Sequence, residues 1–304
     1  MTGHNVPLVA GVELGGTKVI ALLARDREII AKARLPTSDP ERTLNAIGDR
    51  LNHWARQYGL FAAIGIGSFG PVGVDPARPD FGRITTTPKP GWQHVDIAGY
   101  FISRFAVPVA FDTDVIAAAC AEYRWGAGQN CEILVYLTVG TGIGAGILVN
   151  GQAIHGLIHP EFGHIRVRRS ARDDFVGICP FHGDCLEGLA SGPAIAARAG
   201  QSGARVADAD PLFQPVTDAL AEAMAILLLT VSPQHILIGG GVLHHRPALF
   251  QAIRRKTALL LAGYLDGIDT QSLARIIKPP GLGNLAGPLG AIALAIGKIR
   301  TPDP

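Results

Sequence analysis

The sequence has little of what marks secreted, membrane-spanning or nucleic-acid-binding proteins. Cysteine is scarce, with four residues in 304, at 120, 131, 179 and 185. The start, M-T-G-H-N-V-P, has no charged segment followed by an apolar run, so no signal peptide is expected. The longest apolar stretch, near A-I-L-L-L-T-V at 225–231, falls short of the roughly 20 residues a membrane helix needs. Net charge is only +2, which leaves no electrostatic footprint for nucleic acid. The run Arg166–Arg172 (R-V-R-R-S-A-R) is the local exception, read as a solvated loop or a contact for an anionic nucleotide. Low-complexity linkers are missing too. These absences point to a cytoplasmic, soluble chain with neither a membrane nor a nucleic-acid partner.

What is present fits a compact enzyme: 48% hydrophobic and 17% charged residues. At this length one hydrophobic core nears its limit, so two lobes are expected. Residues 8–35 read as three short strands with turns at L-G-G-T and R-D-R-E. A helix follows, from a cap near Ser38 or Asp39 through Leu51 and Trp54. A-A-I-G-I-G and V-P-V-A-F read as strands either side of a Gly/Pro loop, and Asp114 opens a helix. The second half repeats this order. E-I-L-V-Y-L-T leads into V-G-T-G-I-G-A-G and a hairpin on Asn150-Gly151. After an insertion at about 153–192 come a helix at about 216–230, the strand H-I-L-I-G-G-G, a helix around 247–256, a strand A-R-I-I and a last helix. Each half is roughly βββαβαβα, and such an internal duplication implies two similar lobes with a cleft.

The turns G-G-T-K (15–18) and G-T-G-I-G-A-G (140–146) sit at equivalent places in the two halves. Glycines let backbone amides approach a ligand closely, and consecutive amides form a nest suited to phosphate oxygens. An ordinary tight hairpin is the alternative for either turn alone. Residues 140–145 fit the loose dinucleotide fingerprint, but a hairpin follows where that fingerprint needs a helix, which argues against NAD. The P-loop pattern is absent. Gly239, Gly240 and Gly241 follow an apolar strand, where backbone could pass a nucleotide or simply turn into a helix.

F-D-T-D-V (111–115) places two carboxylates where a strand meets a helix. Capping suits Asp112 or Asp114. The functional alternative makes Asp114 a general base for a substrate hydroxyl. The loops at 67–75 and 85–92 (T-T-T-P-K-P-G-W) are rich in hydroxyls and turn residues, as carbohydrate-contacting and many surface loops are.

One constellation constrains function most. E-F-G-H at 161–164 is followed after fourteen residues by C-P-F-H-G-D-C-L-E. His164, Cys179, His182 and Cys185 are four zinc-preferring residues, enough for a closed tetrahedral site, with Glu161 and Glu187 flanking it. A Cys179–Cys185 disulfide or two idle thiols are the bland alternatives. Short ligand spacing in an intracellular-looking chain favours metal. Cys120 and Cys131 lie in apolar segments and read as core thiols.

Taken together, G-V-E-L-G-G-T-K, S-F-G-P, T-T-T-P-K, D-T-D-V, H-P-E-x-G-H, C-P-x-H-G-D-C-L-E-G-L-A-S-G-P and the closing L-G-N-L-A-G-P-L-G-A resemble the ROK family of sugar kinases and repressors, most nearly its bacterial fructokinases. The resemblance implies an actin-like (ribonuclease H-like) fold with lobes at 1–113 and 114–285, the helix 286–304 returning to the first. It also implies an ATP-dependent hexose kinase, with fructose as substrate, gluco- and mannokinases as the alternative, magnesium on the ATP, a structural zinc and a homodimer. By the resemblance Asp114 is the base, and Glu161, His164 and Glu187 hold sugar hydroxyls. His164, Cys179, His182 and Cys185 hold zinc. Gly15, Gly16, Thr17 and Lys18 form the first phosphate loop, Thr138, Gly140, Thr141 and Gly142 the second, and Gly239–Gly241 meet the adenosine end. A repressor of this family carries a DNA-binding segment before the first motif, where about ten residues stand here. Glu13 replaces a common Asp, Thr113 a common Asn, His182 a common Cys, Ile116 a frequent Asn, and Asn284-Leu285 a common Asp-Asn pair.

Overall fold

A computed structural model describes residues 6–170 and 172–300. Residues 1–5, on which the reading of no leader rests, and 301–304, the end of the expected last helix, lie outside it. The chain forms two compact units, one of residues up to Gln129 with Ala153–Pro160 and from Leu285 onward, the other of Asn130–Gln152 and Glu161–Asn284. Contacts therefore group the helix that begins at Asp114 with the first unit, whereas the sequence reading draws the boundary before it.

In the first unit the strands are β1 (Leu8–Leu14), β2 (Lys18–Arg25), β3 (Glu28–Pro36), β4 (Ile64–Ser68) and β5 (Val109–Thr113), and the helices α1 (Pro40–Tyr58), α2 (Ile97–Phe105) and α3 (Asp114–Trp125). β1 lies mid-sheet, antiparallel to β2 and parallel to β4, which explains its nearly unbroken apolar run. Asp39 caps α1 by accepting from Arg42 N, Pro40 opens the helix, and Leu44, Ile47, Leu51 and Trp54 form its buried stripe. The sequence reading does not name α2, which Asp96 caps through Gly99 N.

The second unit holds β6 (Ile133–Val139), β7 (Ile143–Val149), β8 (Gln152–Ala153), β9 (His235–Gly239) and β10 (Ile277–Lys278). Its helices are α4 (Leu186–Ala190), α5 (Gly192–Ala199), α6 (Phe213–Thr230), α7 (Gly241–His244), α8 (Leu249–Leu261) and α9 (Thr270–Ile276). The sheets run β3-β2-β1-β4-β5 and β8-β7-β6-β9-β10, the same order twice, as the internal repeat implies. The expected strand A-R-I-I is mostly α9. Asp269 and Ser272 form a capping box that starts a helix there, leaving two residues for β10. α6 is the one described helix long and apolar enough to cross a membrane, and 61% of it is buried in the protein.

The last helix, α10 (Ala286–Arg300), belongs to the first unit and packs on α3, β1 and β4. Gly65 of β4 makes that possible. A Cβ there would stand 1.9 Å from Ala291 O, so any other residue would push the helix off the sheet.

Candidate active site

The four sulfur and nitrogen candidates of the second unit converge, their donor atoms all within 4.8 Å of one another. His164 ends a short 3-10 turn (Phe162–His164), and Cys185 stands at the N-cap of α4. Cys179 and His182 share a tight turn closed by paired bonds between Cys179 and Gly183, 3.0 and 2.9 Å. His164 Nδ1 lies 3.3 Å from His182 Nδ1, 3.4 Å from Cys185 Sγ and 3.7 Å from Cys179 Sγ, and Cys179 Sγ is 3.6 Å from His182 Nδ1.

A zinc tetrahedron with bonds of about 2.0–2.1 Å to nitrogen and about 2.3 Å to sulfur has edges of roughly 3.3 Å between nitrogens and roughly 3.6 Å between nitrogen and sulfur. The donor set fits such an ion in both chemistry and spacing. All four cysteines are free thiols, so no Cys179–Cys185 bridge competes. Burial pushes the Cys185 thiol up to about 11, so a thiolate there requires a cation beside it. Cys131 is a buried thiol as expected, whereas Cys120 on α3 is partly exposed.

With Nδ1 turned to the cluster, His164 Nε2 points to Glu161, 3.9 Å from Oε2. Burial, with the charge of Glu187 added, pushes Glu161 up to about 7. Glu187 Oε2 accepts from Ile143 N at 2.8 Å, tying α4 to the strand that leaves the second glycine turn. Gly192 N, at the start of α5, donates to Gly140 O at 2.8 Å. Gly163 presses on the carbonyl of Ile143, where a Cβ would lie 1.8 Å from the oxygen. Both arms of the metal-bearing segment thus grip the start of β7. The glycine turn joins two antiparallel strands with no helix following, and parallel pairing of Thr138 with Gly239 sets it beside Gly239–Gly241, which lead into α7.

In the first unit, Gly15–Lys18 form the β1–β2 turn, closed by Gly15 N donating to Lys18 O at 3.0 Å. Three successive turn carbonyls are held from outside. Thr37 Oγ1 donates to Gly15 O (2.7 Å), Lys89 Nζ to Gly16 O (2.7 Å) and Thr37 N to Thr17 O (3.2 Å). At the start of α3 the cap is Thr113, whose hydroxyl accepts from Ile116 N, so neither flanking aspartate supplies it. Asp112 is buried and accepts from Thr113 N (2.7 Å) and from His155 Nε2 (3.0 Å). Asp114 is the first helical residue and is half-buried.

The basic run lies largely in solvent, as the loop reading expects, with Arg166, Arg168 and Arg172 exposed, and three of its arginines pair with carboxylates. Arg166 and Arg169 pair with Asp184, Arg168 with Glu222 (3.0 Å), and Arg169 also with Asp173 (3.6 Å). Sequence reasoning missed three residues that the fold brings to the loops. Lys89 crosses to the first turn. His159 is buried and accepts through Nε2 from Val72 N (3.1 Å), pinning the S-F-G-P loop, and burial holds it below its ordinary value. His155 meets Asp112. The two histidines lie five and nine residues ahead of His164, and His159 opens the H-P-E-x-G-H motif, a signal that could have found it.

The profile of the ROK family matches residues 9–298. The chain belongs to the ROK family. Among its ROK relatives, the fructokinase of Zymomonas mobilis is 43% identical over 292 residues, covering 94% of this chain and 95% of that one. The fructokinase of Pediococcus pentosaceus is 40% identical over 289 residues, covering 95% and 97%. A ROK family glucokinase from Streptomyces griseus, solved in complex with glucose and AMPPNP, superposes with a TM-score of 0.76 at 26% identity, covering 95% of this chain and 99% of that one.

Proposed function

We propose that this ROK protein transfers the γ-phosphoryl group of ATP to fructose, yielding fructose 6-phosphate. The observation that carries this reading is the near full-length likeness to fructokinases at 36–43% identity. The geometry of each unit is consistent with it.

Asp114, at the positive end of the α3 dipole, takes the proton of the attacking sugar hydroxyl. Glu161, Glu187 and His164 Nε2 engage other hydroxyls, and acceptors of this kind reject sugars that lack a matching group. Gly15–Lys18 offer backbone amides to phosphate oxygens. So do Gly140, Thr141 and Gly142, with the Thr138 side chain beside them, and Gly239–Gly241 take the adenosine end. His164, Cys179, His182 and Cys185 would hold a zinc ion whose contribution is to order the segment that carries Glu161 and Glu187. Magnesium on the triphosphate would neutralise charge as it shifts toward the leaving ADP. A homodimer in the cytoplasm completes the reading, by family resemblance.

The test is an ADP-release assay across fructose, mannose, glucose and N-acetylated hexosamines, with and without a chelator. The highest kcat/KM is expected with fructose. ADP release with none of these sugars would overturn the kinase reading. Glucose or mannose ahead of fructose would overturn the choice of sugar.

A further inference from the structure

Lys89 is absorbed by none of the roles above. Its segment, T-T-T-P-K-P-G-W, lies across the first glycine turn 73 residues away, and its ammonium donates to Gly16 O at 2.7 Å. The position is built. Trp92 is fully buried, donates its indole N–H to Ser38 O at 2.9 Å and meets Phe69 edge-on. Thr85 bonds Pro71 O through both its amide and its hydroxyl, Thr87 Oγ1 accepts from Lys89 N, and Pro88 and Pro90 fix the backbone either side.

Two features of this arrangement call for an anion. First, Gly15 O, Gly16 O and Thr17 O are all held by protein donors, so the negative ends of these peptides are engaged away from any ligand. Second, Lys89 is half-buried, and among the described residues its ammonium meets a carbonyl and no carboxylate. The arginines at 104, 124, 169 and 198 each have an acidic partner. An ammonium has three donors, and one is used on Gly16. A half-buried cation over a phosphate-type turn is placed to meet phosphoryl oxygens as they gain charge.

Resting on the kinase reading, we propose that Lys89 is a catalytic residue that contacts the γ-phosphoryl group of ATP at the first turn. The sugar oxygen forms a bond to γ-phosphorus while the bond from γ-phosphorus to the β–γ bridging oxygen breaks. The hydroxyl proton passes to Asp114, and ADP leaves with the bonding electron pair. Lys89 keeps its proton throughout and offsets charge on the oxygens of the transferring group.

The experiment uses Lys89→Met, which keeps the aliphatic stem, and Lys89→Arg, which keeps a charge. Binding of ADP and of a non-hydrolysable ATP analogue is measured by calorimetry beside steady-state kinetics with fructose. Lys89→Met should lower kcat by about 10²-fold, the effect typical of losing one transition-state donor. It should leave the fructose KM within about threefold, weaken the analogue at least about tenfold and change ADP affinity by less than about threefold. Lys89→Arg should keep the preference for the analogue over ADP. A mere strap between loops predicts equal loss for both nucleotides, and that result, or no loss for either, would overturn the assignment. Wild-type protein that neither binds the analogue nor phosphorylates a hexose would instead overturn the kinase reading.

Discussion

Glu187 and Ile143 share a 2.8 Å hydrogen bond, the amide that opens β7 donating to Oε2 of the carboxylate. One side chain therefore belongs to the metal-bearing segment and to the second glycine turn at once. If Glu187 also accepts from a sugar hydroxyl, its two oxygens divide the tasks. Glu187→Ala is expected to raise the KM for ATP and for fructose, each about tenfold, as loss of a charge-assisted bond would. Glu187→Gln keeps an amide oxygen for Ile143 and should raise the fructose KM alone. Steady-state kinetics with each substrate varied separates the two, and an unaltered ATP KM in Glu187→Ala would dismiss the bridging role.

Asp114→Ala removes the proposed base without touching the helix cap, since Thr113 supplies that bond. Turnover should fall by about 10²–10⁴-fold while melting temperature and metal content stay at wild-type levels. Near-normal kcat would exclude Asp114 as the base.

Cys185→Ala should abolish bound zinc, which elemental analysis of the purified protein reads directly. Structural zinc sites contribute on the order of 10 kcal/mol of apparent binding free energy, so the variant should also melt at a lower temperature. It should in addition expose the 161–190 segment to protease. Wild-type protein that carries no zinc after growth in zinc-supplemented medium would refute the metal assignment.

His155 Nε2 lies 3.0 Å from the buried Asp112, and that hydrogen bond holds the imidazole above its ordinary 6.5, against the opposing effect of burial. The folded value exceeds the unfolded one. The ion pair's contribution is therefore complete below about pH 6.5 and is lost as the pH rises through the folded value. His155→Gln should lower the melting temperature most near pH 6 and progressively less toward pH 8.5. A pH-independent difference between the two proteins would show that the pair is not charged.

Much of this was readable in the chain. The duplication shows because hairpin signals such as Asn150-Gly151 and the two glycine turns recur at matching places. The metal cluster shows because three of its four residues fall within seven positions. Periodicity failed at 274–277, where Asp269 and Ser272 three residues apart had already committed the chain to a helix. The exposure of the basic run was legible, but its carboxylate partners Asp173, Asp184 and Glu222 are unremarkable in the sequence until the fold delivers them. Arg198, fully absorbed by Asp173 at 2.7 and 3.0 Å and by the Phe175 ring at 4.2 Å, is illegible for the same reason. Lys89 sits inside T-T-T-P-K, yet nothing local in the sequence links it to Gly16.

The return of α10 to the first sheet bears on how the protein is made. Translation delivers β1 and β4 early, but the helix that lies against Gly65 emerges only after the whole second unit. Until residue 300 clears the ribosome, that face of the sheet lacks the helix that packs on β1 and β4, leaving apolar surface of the kind chaperones hold. The second unit, continuous from Glu161 to Asn284 once its hairpin is in place, has no such wait. The first part of the chain to be synthesised is thus the last to be finished.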